Sequence, residues 1–176
     1  MDENLVCFAH GKESGPWGTK IRVLTEVAQQ RGFVVQSIDF QGLQSPAERV
    51  EKLLRCRPRA GRRLVMVGSS MGAYVSVLAS QQLNPLGLFL MAPAFYLPGY
   101  ESIESPPAAR LVQVVHGWRD EVVPVDYAIR FAREHGAELV LLHAKHNLVE
   151  ALPILKQLFA GFLDRVASVN NPLKAQ

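Results

Sequence analysis

Hydrophobic positions along the chain gather into six short, nearly unbroken runs: Leu5–Ala9, Phe33–Ile38, Arg63–Val67, Leu86–Met91, Leu111–Val115 and Glu138–Leu142. Each has the length of a strand and is apolar on both alternations, the pattern of a strand covered on both faces. The intervals carry helical spacing instead. Ile21, Leu24, Val27 and Ala28 share one helical face, and Leu148, Leu152, Leu155, Phe159, Phe162 and Val166 form the apolar stripe of a closing helix. Ser45-Pro46-Ala47-Glu48 reads as a capping box with proline at the first helical position, and predicts a helix over 46–54. From Met71 to Leu83, residues such as Ala73, Tyr74, Val75 and Val77 leave little polar face, so this helix is expected near the centre of the molecule. Strands alternating with helices, without an Asn-Gly hairpin signal, predict a three-layer α/β fold. Its six-stranded sheet is mainly parallel, with right-handed crossovers and helices on both faces. Sites in such sheets lie beyond the carboxyl ends of the strands, where the strand order reverses.

At 176 residues and 19.5 kDa the whole chain, 1–176, is expected to form one domain. A hydrophobic fraction of 48% against 20% charged excludes a disordered chain or a collagen-like repeat. The core is large enough to need neither disulfide nor metal, so Cys7 and Cys56 have no structural task and suit a reducing compartment. Met1-Asp2-Glu3-Asn4 is acidic and precedes only a short apolar run, which argues against a secretory signal. No window approaches the roughly 18 apolar residues of a membrane span, so a cytoplasmic location without membrane contact is expected. The net charge of +3 is too small to demand a nucleic-acid partner. The arginines at 55, 57, 59, 62 and 63 surround Pro58 and Gly61 without an interleaved aromatic residue, and read as a solvated connection.

The strongest chemical signal is Gly68-Ser69-Ser70-Met71-Gly72, a Gly-x-Ser-x-Gly that follows a β run and opens the buried helix. A nucleophile on a tight strand-to-helix turn needs small neighbours two residues to either side, because the adjacent chain comes close. Ser70 fits that offset and Ser69 does not. The turn also puts the Met71 backbone N–H where a developing oxyanion would form. A serine needs a base and the base an orienting carboxylate. Asp120 lies in the turn that follows the fifth run, and two histidines, His143 and His146, follow the sixth. His146 is favoured because it lies in the loop, clear of the strand, whereas His143 ends the strand. The order Ser70, Asp120, His146 puts each member after a strand.

The elbow, the segment His116-Gly117-x-x-Asp120-x-x-Val123-Pro124 and the histidine loop resemble the α/β-hydrolase family over nearly the whole chain. With Phe8-Ala9-His10-Gly11, the chain is most similar to small, lidless bacterial esterase-like proteins. The resemblance implies Ser70 as nucleophile, His146 as general base and acid, and Asp120 as the carboxylate that holds the histidine. It implies a second oxyanion donor at the residue after His10-Gly11, the Lys12 N–H, beside that of Met71. His10 itself reads as structural. The excursion from Ala92 to Arg110 is too short for a cap domain. Its Phe95, Tyr96, Leu97, Tyr100 and Ile103, with Trp17, are candidates to line the substrate pocket, against the alternative that they cover the sheet edge.

The function implied is that of a serine hydrolase, a carboxylesterase acting on small soluble esters. Thioesters and acyl-peptides are alternatives, and so is a non-catalytic binding protein on the same fold. No cofactor or metal is expected, since the first strand leads into no Gly-x-Gly-x-x-Gly fingerprint and the histidines have no metal spacing with carboxylates.

Overall fold

A computed structural model describes residues 3–58 and 63–169. Arg59 and Arg62 of the arginine cluster, and Met1 and Asp2, lie outside them. The strands are β1 (Asn4–Ala9), β2 (Phe33–Ile38), β3 (Leu64–Ser69), β4 (Gly87–Met91), β5 (Leu111–Gly117) and β6 (Glu138–Leu142). The helices are α1 (Thr19–Gln30), α2 (Pro46–Cys56), α3 (Met71–Leu83), α4 (Val125–His135) and α5 (Leu152–Ser168), with one 3-10 turn at Val149–Ala151. All five strand pairings are parallel and the sheet order is β2-β1-β3-β4-β5-β6. The chain steps outward from β1 to β2 and then crosses to β3 on the other side, so the order reverses between β1 and β3.

Alternate strand residues feed two cores. Val6, Phe8, Val65, Val67, Phe89 and Val115 pack on one face with α1 and α5. Leu5, Cys7, Met66, Leu88, Leu90 and Val114 pack on the other with α2, α3 and α4. This two-sided burial is why the runs read as continuously apolar. Helix α3 is buried along nearly its whole length because the 92–110 segment covers it: Tyr74 donates to the Glu101 carbonyl at 3.1 Å, and Ala108 N–H to Ser80 Oγ at 3.0 Å. That segment holds no helix or strand. No described helix is long and apolar enough to cross a membrane.

One local expectation needs correction. Ser45 is the N-cap of α2 and Pro46 its first residue, but the Ser45 side chain makes no capping hydrogen bond. The helix start is held instead by proline's preset φ and by Arg49 N–H donating to the Ser45 carbonyl at 3.2 Å.

Candidate active site

Ser70 sits between β3 and α3 with φ 54° and ψ −118°, a strained combination that persists only where the surroundings enforce it. They do so through the backbone. Ser70 N–H donates to the Met91 carbonyl at 2.9 Å, and the Ser70 carbonyl accepts from Ala73 N–H at 3.0 Å and Ala94 N–H at 3.2 Å. The flanking glycines are obligatory for space. A Cβ on Gly68 would run into the Ala73 backbone, and one on Gly72 into the Ala9 carbonyl at the end of β1.

The turn directs Ser70 Oγ at His146. The hydroxyl lies 3.0 Å from His146 Nε2, and His146 Nδ1–H donates to Asp120 Oδ2 at 2.7 Å. This arrangement requires the tautomer whose Nε2 lone pair faces the serine. Ser69 and His143 take no part in it. Asp120 is sealed from solvent, while the His146 side chain is 24% exposed, so the imidazole can exchange protons with a bound molecule and its carboxylate cannot. Asp120 Oδ1 accepts from Val122 and Val123 N–H, both at 2.8 Å. Burial alone would push the Asp120 carboxyl up, but the His146 hydrogen bond and these two N–H groups together hold it below the usual range, as an anion.

The sequence reading passed over His116, four residues before Asp120 at the end of β5. Fully buried, it donates from Nε2 to the Val123 carbonyl at 3.0 Å, with Asp120 Oδ2 3.3 Å from the same nitrogen. Burial lowers its pKa, so it is neutral and steadies the acid turn without adding charge. The turn after β5 and the loop after β6 are also packed together. A Cβ on Gly117 would collide with the Ala144 carbonyl, and Glu150 accepts from Lys145 N–H at 2.7 Å and from Arg119 at 2.9 Å.

The loop after β1 faces the same point: a Cβ on Gly11 would be 3.4 Å from Ser70 Cβ. His10 is buried, accepts at Nε2 from Phe40 N–H at 2.8 Å and donates from Nδ1 to the Gly11 carbonyl at 2.7 Å, which satisfies it in place. Arg49, wholly buried in α2, donates to the carbonyls of Leu43 at 2.8 Å, His10 at 3.1 Å and Gly11 at 3.2 Å. The Lys12 N–H follows directly. Met71 is the first residue of α3, where an N–H has no intrahelical acceptor.

A cavity of about 520 Å³ opens beside Ser70 and His146. Four proposed lining residues lie elsewhere. Phe95 is fully buried under α4, stacked on Phe131 with ring centroids 4.1 Å apart. Tyr96 turns outward, donating to Glu134 at 2.6 Å with the Arg130 guanidinium 4.0 Å over its ring. Trp17 is exposed and does not reach the cavity. Ile103 lines a separate hollow beside Val77 and Leu78. Ala94, Leu97 and Tyr100 are the residues of the 92–110 segment that face the serine, joined by Ile21, Val122 and Val149. Among the described residues no cluster of His, Cys, Asp and Glu could hold a metal ion.

No family model and no curated protein matches the chain. Solved structures do. A protein of Xanthomonas campestris pv. campestris assigned to the alpha/beta hydrolase superfamily is 29% identical, with a TM-score of 0.84 over 94% of this chain and 99% of its own. A serine hydrolase without a lid, also from Xanthomonas campestris, is 20% identical, with a TM-score of 0.73 over 94% of this chain and 83% of its own. The esterase Pf2001 of Pyrococcus furiosus is 20% identical, with a TM-score of 0.72 over 93% of this chain and 83% of its own. With no helix or strand between β4 and β5 to make a lid, this chain takes the α/β-hydrolase fold in a form similar to the lidless serine hydrolase among these structures.

Proposed function

We propose that the protein is a serine hydrolase, a carboxylesterase that cleaves small esters through an acyl-enzyme on Ser70. One observation carries the reading: Ser70 Oγ, His146 and Asp120 form an unbroken relay of 3.0 and 2.7 Å beside a cavity. In this mechanism Ser70 attacks the ester carbonyl as His146 Nε2 takes its proton, and Asp120 stabilises the imidazolium that results. The Lys12 and Met71 N–H groups bind the tetrahedral oxyanion, each worth on the order of 10²–10³ in rate. Collapse releases the alcohol with the proton returned from His146, and water then repeats the sequence on the acyl-enzyme. Esters fit better than amides, because an alcohol needs less protonation to leave. A site without a lid also suits small substrates.

A fluorophosphonate probe read by mass spectrometry is expected to form one adduct, on Ser70, and none in Ser70→Ala. No adduct, or equal labelling of the variant, refutes the nucleophile. Labelling without turnover across an ester panel would point instead to a binding protein that keeps the fold.

A further inference from the structure

The cavity beside Ser70 contains a cation that no carboxylate among the described residues pairs with. Lys20, the second residue of α1, lines it together with Ser70 and His146. Among the described residues Lys20 has neither a carboxylate within ion-pair distance nor a hydrogen-bond acceptor. Burial pushes its ammonium down to about 8, and the charge of Asp120, acting the other way, does not offset this. Its position in the helix adds to the cost, because the positive end of a helix dipole opposes a lysine in the first turn. That turn of α1 carries no acidic residue. Helix stability therefore does not explain Lys20.

Asp120 does not explain it either, since its oxygens already accept from Val122, Val123 and His146 and are sealed from solvent. The other formally charged residues around the cavity are Lys12 and Glu13, exposed in the loop after β1, and their charges cancel. One net positive charge is left, at Lys20.

We propose that Lys20 is a specificity residue that pairs with a carboxylate on the substrate, so that the preferred esters are monoanionic. The ester rests on the hydrolase reading above, and the carboxylate site does not. A single ammonium in a cavity also lined by Ile21, Leu97 and Val122 matches one carboxylate. A phosphate dianion would bring two charges to one cation. An ion pair with hydrogen bonding in such a place is expected to change selectivity about ten- to a hundredfold.

Two measurements test this. The first is the ratio of kcat/KM for the p-nitrophenyl monoester of adipic acid to that for p-nitrophenyl heptanoate. The same ratio for 4-acetoxybenzoate against 4-tolyl acetate places the carboxylate on the leaving side. At least one ratio is expected to favour the anion about tenfold or more in the wild type, to fall towards one in Lys20→Met and to invert in Lys20→Glu. Ratios near one in the wild type, or unchanged in Lys20→Met, overturn the proposal. The second is calorimetric titration with hexanoate, a monocarboxylate that needs no turnover: binding by the wild type that is lost in Lys20→Met supports the site, and equal binding or none overturns it. If hexanoate binds through Lys20 while no ester is cleaved and Ser70 is not labelled, the hydrolase reading fails and the carboxylate site stands.

Discussion

Arg49→Met tests whether the loop after β1 is aimed or merely nearby. The Gly11 carbonyl and the Lys12 N–H belong to one trans peptide unit and so point in opposite directions. Arg49 and His10 both donate to that carbonyl, at 3.2 and 2.7 Å, and holding it fixes where the Lys12 N–H points. Methionine keeps much of the stem and donates nothing. The Leu43 and His10 carbonyls lose the donor, at about 1–3 kcal/mol each, while the desolvation of a buried guanidinium is relieved. A net destabilisation of about 2–4 kcal/mol is expected from these opposing effects. His10 retains one hold on Gly11, so only part of the 10²–10³ attributed to an oxyanion donor is lost. We expect kcat to fall about 10- to 100-fold with KM changed less than about threefold, because the oxyanion exists only in the transition state. Steady-state kinetics on a chromogenic ester, well below the unfolding transition, measure this. Phe162→Ala serves as the control, since it removes a core side chain of α5, on the face of the sheet opposite α2. A folded Arg49→Met that keeps kcat within about twofold, or loses only KM, refutes the aiming argument.

His146→Ala should lower kcat/KM by about 10³ or more and His143→Ala by less than about twofold; the reverse order would make His143 the base. Phe95→Ala, which empties a site stacked on Phe131, should cost about 3–5 kcal/mol in urea denaturation and leave acyl-chain selectivity unchanged, whereas a shifted chain-length profile would return Phe95 to the pocket. Gly72→Ala should cost at least about 1–3 kcal/mol, because its Cβ meets the Ala9 backbone; an unchanged denaturation midpoint contradicts the close approach. Lys20 is charged below about 8 and neutral above it, so the preference for anionic esters should be full near pH 6.5 and decay as pH rises through that value. A ratio constant from about pH 6.5 to 9.5 would show that Lys20 does not carry it.

Much of the fold was legible because its signals are local. Each strand is largely apolar and starts within one residue of where the runs put it, with β3 and β5 extending two residues further, to Ser69 and Gly117. Helix α3 spans Met71–Leu83 as the pattern required. The closing helix begins later than its apolar stripe suggested, since Leu148 adopts φ 56° and a 3-10 turn intervenes before Leu152. Leu148 still packs in the core, so periodicity alone could not locate the break. The pocket was misread for a different reason. Residues 92–110 have no repeating geometry, and Phe95 and Tyr96 follow Ala94 by one and two positions yet point to the core and to α4. Arg49 left one trace: it stands four residues before Leu53 on the buried stripe of α2, a cation where an apolar residue belongs. His116 stands in the same relation to Asp120, four residues along the chain.

The two proposed oxyanion donors are aimed by the same device with different parts, which explains their unequal legibility. Met71 N–H shares a peptide unit with the Ser70 carbonyl, captured by Ala73 and Ala94 backbone N–H groups. The first of these comes from the helix that the elbow itself opens, so the donor could be placed from five consecutive residues. Lys12 N–H shares its unit with the Gly11 carbonyl, captured by side chains, and Arg49 belongs to a helix on the far side of β2 in the chain. Within the loop the His10 imidazole alone holds that orientation. The buried guanidinium adds a second hold from outside the loop, and without a carboxylate among the described residues in ion-pair distance it offsets its desolvation chiefly through the carbonyls it holds. A site without a lid cannot rely on closure to order its donors when substrate arrives. Its preorganisation has to come from beneath, and Arg49 supplies it on the buried side of the loop whose open side faces Ser70.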